Sequence, residues 1–251
     1  MTSTADTPAR QDGHHRAEPE PALRHLAVIL DGNRRWARDH GHTTLEGIQL
    51  GGERVLDLLT WCQDITDLTT LTLWPLSTEN FQRPATELDR LLQVITDITQ
   101  AIAATRRWRI RYLGTPQRLP SQSTRILKDA AERTRHLKGP VCNLAIAYGG
   151  RDEIVRGVQN LIISHQRAGT LQHLVQHFGP DDIGRHLDTA GQPDPDLVIR
   201  TAGEQRLSGF MPWQSAYAEQ YFCPTPWPAF SRADLDTALD WYRRRIRNYG
   251  R

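Results

Sequence analysis

Leu23-Arg-His-Leu-Ala-Val-Ile-Leu30 runs straight into Asp31-Gly32-Asn33. A short apolar run that stops at a turn signal reads as a buried parallel strand. Downstream, apolar residues recur at helical spacing from about Leu45 to Cys62. LTTLTLWPL (68–76), rich in β-branched residues, reads as a second strand ending at Pro75. Helical spacing returns over 86–107 and 123–137, separated by a third strand, RIRYLG (109–114). VCNLAIAY (141–148) is a fourth strand closed by Gly149-Gly150, and LVIR (197–200) is a further short one. A helix over 152–169 stops at Gly169, the usual C-terminal glycine, and an arginine-dense helix is expected over 232–247. Strands that alternate with helices predict an α/β fold with a mainly parallel sheet covered on both faces. Residues 1–22 are polar and aperiodic and read as a disordered arm, leaving 23–251 as a single domain.

The composition narrows the possibilities. The chain has 251 residues, with 31 Lys+Arg against 29 Asp+Glu and a net charge of +2. That balance excludes a strongly basic, nucleic-acid-coating protein and an acidic disordered one. No apolar run approaches the roughly 18 residues of a membrane span, and the first residues lack the apolar stretch of a signal peptide. Cys62, Cys142 and Cys223 form no CxxC pair. Neither a disulfide framework nor a zinc site is expected, and a reducing, cytoplasmic setting follows.

Ligands of open parallel sheets bind beyond the carboxyl ends of the strands. The first strand is followed by Asp31-Gly32-Asn33-Arg34-Arg35-Trp36, the second by Ser77-Thr78-Glu79-Asn80-Phe81-Gln82-Arg83. Tyr148-Gly149-Gly150-Arg151 follows the fourth, and Arg200 to Ser208 the last. Taken singly, an Asp-Gly-Asn is a turn and an arginine pair is a solvated face. Together they place arginine forks, which match phosphate oxygens, beside glycines and helix starts that offer backbone N–H groups. One aspartate at a strand tip suits Mg²⁺ held between phosphates. No GxxxxGK[ST] and no GxGxxG is present, so the pattern is neither a Walker loop nor a dinucleotide fingerprint.

HLAVILDGNRRWARDHG, STENFQRP, NLAIAYGGRDEI, and DPDLVIRTAGEQRLSGFMPWQSAYAEQYF with WPAF together resemble the cis-prenyltransferases, the undecaprenyl-diphosphate-synthase-like enzymes. The likeness spans about His25 to Gly250. It implies a six-stranded parallel sheet, a homodimer, and Mg²⁺-dependent joining of an allylic diphosphate to a C5 diphosphate; no nucleic-acid partner and no stable membrane insertion are expected from the charge balance and the lack of a long apolar run. Asp31 would then position Mg²⁺, with Glu219 completing the metal environment. Gly32, Asn33, Arg34, Arg35 and Trp36 would surround the allylic diphosphate. Ser77, Asn80 and Phe81 would lie near the reacting carbons, with Asn80 handling a proton. Arg83, Arg200, Arg206 and Ser208 would bind the second diphosphate.

The chain also departs from the family pattern. Ile48 stands where the family carries a histidine after glycine, and Thr44 stands where an arginine is common. Asn248-Tyr249-Gly250 replaces the C-terminal RxG, with Arg247 one position early. These changes, and an AE-x-YFCPT run (218–225) similar to that of lavandulyl-type synthases, imply irregular, branched coupling with dimethylallyl diphosphate in the acceptor site. The alternatives are ordinary head-to-tail elongation with isopentenyl diphosphate and, less favoured, a noncatalytic anion-binding subunit. Only 24 residues separate Pro84 from Arg109. The family's long-chain members carry more, so the resemblance implies a short product of roughly C10–C20, with Trp74, Ile95, Ile98 and Trp108 as candidate plugs.

Overall fold

The computed structural model describes residues 22–245. Residues 1–21 of the expected arm, Arg247 and Asn248-Tyr249-Gly250 lie outside them. Six strands form one parallel sheet in the order β3-β4-β2-β1-β5-β6. They are β1 (His25–Ile29), β2 (Thr70–Ser77), β3 (Arg109–Gly114), β4 (Val141–Tyr148), β5 (Leu197–Arg200) and β6 (Glu219–Phe222). The helices are α1 (Asn33–Asp39), α2 (Thr44–Trp61), α3 (Ala85–Thr105), α4 (Ser121–Thr134), α5 (Gly150–Ala168), α6 (Leu171–His177), α7 (Pro180–Gly184) and α8 (Arg232–Arg243).

β1 explains the layering. Every one of its residues is buried, because it lies between β2 and β5 with covered faces on both sides. Successive side chains alternate between those faces. Leu26 and Val28 join the large core that includes residues of α2, α3, α4 and α8. Ala27 and Ile29 join a smaller core with Trp74, Tyr148 and Phe210. At the amino ends of the strands a buried polar chain replaces apolar contact. His25 Nε2 lies 2.7 Å from Thr72 Oγ1, and Asn143 Nδ2 donates to the same hydroxyl (2.9 Å) and to Gln192 Oε1 (2.6 Å). Burial depresses the His25 imidazole to about 4, against the raising effect of its bond with the Pro193 carbonyl.

Four elements escape the sequence reading: α1, α6, α7 and β6. The second strand does not end at Pro75. It runs on to Ser77, and Pro75 falls within a register shift between Leu73 and Leu76 on the β4 side. Proline lacks a donor N–H, so a strand tolerates it where the regular ladder is already interrupted. All three cysteines are buried and free. Among the described residues, no helix is long and apolar enough to cross a membrane.

Candidate active site

The carboxyl ends of β1, β2 and β5 meet around Asp31. Its position is fixed from the backbone upward. The Asp31 N–H donates to Thr201 Oγ1 (2.9 Å), and the Thr201 hydroxyl donates back to the Asp31 carbonyl (2.7 Å). The Gly32 N–H donates to Asp31 Oδ1 (2.7 Å). Gly32 has φ +102°, and a Cβ there would stand 2.8 Å from Ala202 Cβ and 2.9 Å from Pro226 Cβ. Glycine is therefore required on two counts, dihedral and space. It also sets the start of α1, which carries Asn33, Arg34, Arg35 and Trp36.

Arg200, 5% exposed, closes the base of the site. Its guanidinium donates to Asp31 Oδ2 (2.8 Å), to Ser208 Oγ (2.7 Å) and to the Arg206 carbonyl. Ser208 reaches it from a left-handed backbone, φ +52°, followed by Gly209 at +84°. Phe210 holds this segment by stacking on Trp74, centroids 5.0 Å apart, and the Gly150 N–H donates to the Gly209 carbonyl (3.0 Å). Behind Trp74, Tyr148 donates to Glu153 Oε2 (2.6 Å), a carboxyl whose proton affinity burial raises.

Across the mouth, the Ser77 N–H donates to Asn80 Oδ1 (3.0 Å). Arg83 pairs with Glu87 at 3.0 Å. Burial weakens the proton affinity of Arg83, while Glu87 and Asp31 oppose that effect. A cavity of about 210 Å³ opens here. Asp31, Asn33, Ser77, Asn80, Arg83, Arg200 and Ser208 line its polar part, and α2 and α3 supply an apolar wall from Ile48 to Val55 and from Leu91 to Thr99. α2 and α3 pack closely at Gly52, where a Cβ would collide with Val94.

The cavity thus gathers half of the expected site residues. Arg34, Arg35 and Trp36 lie outside its lining, on α1. Arg35 and Arg206 are both tied to Glu204, at 2.8 and 2.5 Å, and these bonds hold the Glu204 carboxyl below its ordinary range. Phe81 lies under Arg118, whose guanidinium carbon is 4.6 Å from the ring centroid. Ile48 does line the cavity, whereas Thr44 does not. Trp74, Ile95 and Ile98 line it too, but Trp108 belongs to the main core instead.

Glu219 is not brought to Asp31 within one chain. It opens β6 level with Leu197, while Arg200 is level with Phe222. Its carboxylate binds Arg245 at 2.9 Å. Glu87 and Glu204 carry no sequence signal of their own, because an acid in a first helical turn or beside an arginine reads as ordinary surface pairing.

Among the described residues, no group of three or more His, Cys, Asp or Glu could hold a metal. The donor set at Asp31 is one carboxylate, with a side chain 38% exposed. That fits Mg²⁺, which keeps water and phosphate oxygens and takes only one or two protein carboxylates.

An arginine-rimmed polar mouth over an apolar cavity is a site for an amphipathic anion, a diphosphate carrying a hydrocarbon chain. The prenyltransferase family model described as undecaprenyl diphosphate synthase matches residues 29–250, and the chain belongs to that family. It is accordingly a prenyl-transferring enzyme. Isoprenyl transferase 1 of Streptomyces avermitilis is 47% identical, over 96% of this chain and 93% of that one. The (2Z,6E)-farnesyl diphosphate synthase of Mycolicibacterium smegmatis is 45% identical over 91% and 88%. Lavandulyl diphosphate synthase from Lavandula x intermedia, solved with dimethylallyl diphosphate, superposes with a TM-score of 0.86 at 34% identity, over 92% of this chain and 99% of that one.

Proposed function

We propose that the protein condenses an allylic prenyl diphosphate with isopentenyl diphosphate, head to tail, to give a short-chain Z-prenyl diphosphate. The observation that carries this reading is the cavity that is polar at Asp31 and Arg200 and walled by Ile95, Ile98 and Thr99. Relatives named as short-chain Z-isoprenyl and (2Z,6E)-farnesyl diphosphate synthases at 45% identity support elongation over the irregular coupling suggested by the sequence departures.

In this reading the allylic C1–O bond breaks and its electron pair leaves with the diphosphate. A bond then forms from C4 of isopentenyl diphosphate to C1, and a proton leaves C2 for water or the departing diphosphate. Gly32 to Trp36 would surround the departing group. Preorganised donors that meet developing charge in a water-poor site are the largest single source of catalysis. Arg83, Arg200, Arg206 and Ser208 would hold the second diphosphate, and Asn80, fixed by the Ser77 N–H, would orient the proton transfer. Asp31 would hold Mg²⁺, which supplies neutralisation of diphosphate charge. Glu219 can join that metal only from a second copy of the chain, so the homodimer is part of the proposal.

A second reading, branched coupling of two allylic units, is supported by the 0.86 TM-score to the lavandulyl enzyme and by Ile48 in the cavity wall. A product assay separates the two. With Mg²⁺, dimethylallyl and geranyl diphosphates should give no coupled product alone, and a linear Z product once isopentenyl diphosphate is added. Mass spectrometry and NMR of the dephosphorylated products read the outcome. A branched product from dimethylallyl diphosphate alone would replace the first reading with the second.

A further inference from the structure

Glu87 lies in the first turn of α3 and is only 9% exposed. One of its oxygens, Oε1, is 3.0 Å from Arg83 Nη1 and 4.0 Å from Arg34 Nε. The two arginines come from separate segments. Arg34 is on α1, in the stretch assigned to the allylic diphosphate. Arg83 follows β2, in the stretch assigned to the C5 diphosphate. Arg200 is different: both of its terminal guanidinium nitrogens already bond within the chain, to Asp31, Ser208 and a carbonyl, and Nε is buried without a partner among the described residues. Arg83 instead donates to the Glu87 carboxylate, while Arg34, its side chain 60% exposed, stands at the outer edge of ion-pair range from the same oxygen, and a carboxylate presents a guanidinium with the same oxygen geometry as a phosphate.

We propose that Glu87 is a positioning residue that stands in for diphosphate, holding Arg34 and Arg83 in place and coupling the two substrate subsites through one shared oxygen. This rests on the diphosphate assignment of the preceding section. A diphosphate that takes either arginine weakens that arginine's hold on Glu87 and leaves the carboxylate to the other. The carboxylate therefore has two opposed effects. It competes with an incoming anion, lowering affinity, and it keeps both forks placed for the reaction.

The sign of the first effect makes the proposal testable without prenyl transfer. Glu87→Gln removes the charge and keeps the size. By isothermal titration calorimetry this variant should bind inorganic pyrophosphate about three- to tenfold more tightly than wild type, with a steeper salt dependence. Its kcat should fall about tenfold while neither KM rises. Glu87→Asp keeps the charge and should return pyrophosphate affinity to near the wild-type value. In an Arg34→Ala background, the gain from Glu87→Gln should shrink. A residue that only caps α3 would leave pyrophosphate affinity unchanged or weaken it, and either result overturns the proposal. An undiminished gain in the Arg34→Ala background overturns the coupling. A wild-type protein that binds no pyrophosphate would overturn the diphosphate assignment itself, which is a separate failure.

Discussion

The two ends of β1 carry similar chemistry arranged for opposite purposes. At the amino end, Asp196 accepts the backbone N–H groups of Arg24 and His25 at 2.8 and 3.0 Å. His25, Thr72, Asn143 and Gln192 complete a buried chain in which both ring nitrogens of the imidazole have partners. At the carboxyl end, Asp31 also takes a backbone N–H, but its second partner is a guanidinium and its side chain stays over a third exposed. One end satisfies its polar groups with one another. The other leaves a carboxylate and its arginine facing a cavity. A buried polar group that is fully paired adds rigidity, whereas one aimed at an open space is available to a ligand.

This contrast predicts that substitutions at the carboxyl end reduce turnover and those at the amino end reduce stability. The largest effect should come from Asp31→Ala, with kcat/KM lower by about a thousandfold or more. Steady-state assays with Mg²⁺ check it, and full activity in that variant would break the site assignment. Next comes the pH dependence of His25. Its folded pKa, about 4, lies below the ordinary 6.5, so the unfolded chain takes up a proton first on acidification. Its contribution to stability is complete above pH 6.5 and is lost as the pH falls towards 4, by up to about 3 kcal/mol. Urea titrations of wild type and His25→Gln across that window should show the loss shrinking in the variant, with turnover at neutral pH kept.

Arg200→Ala should be intermediate. Each charged hydrogen bond it removes is worth about 1.5–3 kcal/mol, so the KM for the C5 diphosphate should rise about ten- to a hundredfold. An unchanged KM would remove Arg200 from that subsite. The smallest effect belongs to Arg206→Ala. This side chain is 61% exposed and already paired with Glu204, and exposed pairs contribute at most about 1 kcal/mol. A KM change of several fold at low salt, shrinking at high salt, is expected. A change matching that of Arg200 would erase the distinction between committed and exchangeable arginines.

Much of this could be read from the sequence where burial dictates residue type. HLAVI, VCNLAIAY and LVIR are strands, because strands covered on both faces need continuous apolar or β-branched runs, whereas RIRYLG, at the sheet edge, alternates exposed Arg109 and Arg111 with buried Ile110. α1 is not legible because NRRWARD carries three arginines and no apolar repeat, and its start is set by the left-handed Gly32 rather than by a capping side chain. EQYF escapes that reading because this four-residue edge strand is half open along its whole length and shows no alternation; only the family resemblance implies a sixth strand. Within the site, Asp31, Arg83, Arg200 and Ser208 were legible as polar groups at strand ends. The Glu87 and Glu204 links were not, since only the folded chain shows which arginines a given acid meets.

The three thiols offer a use beyond their place in the core. Cys62, at the end of α2, and Cys142, in β4, have proton affinities raised by burial, to about 12 for the first. Cys223, after β6, is raised for the same reason. A thiol reacts as its exposed thiolate, so native protein mixed with an alkylating reagent is labelled only when its interior opens. All three thiols sit in the main core but on different elements, so the order in which they acquire label, read by peptide mass, traces the route by which that core comes apart.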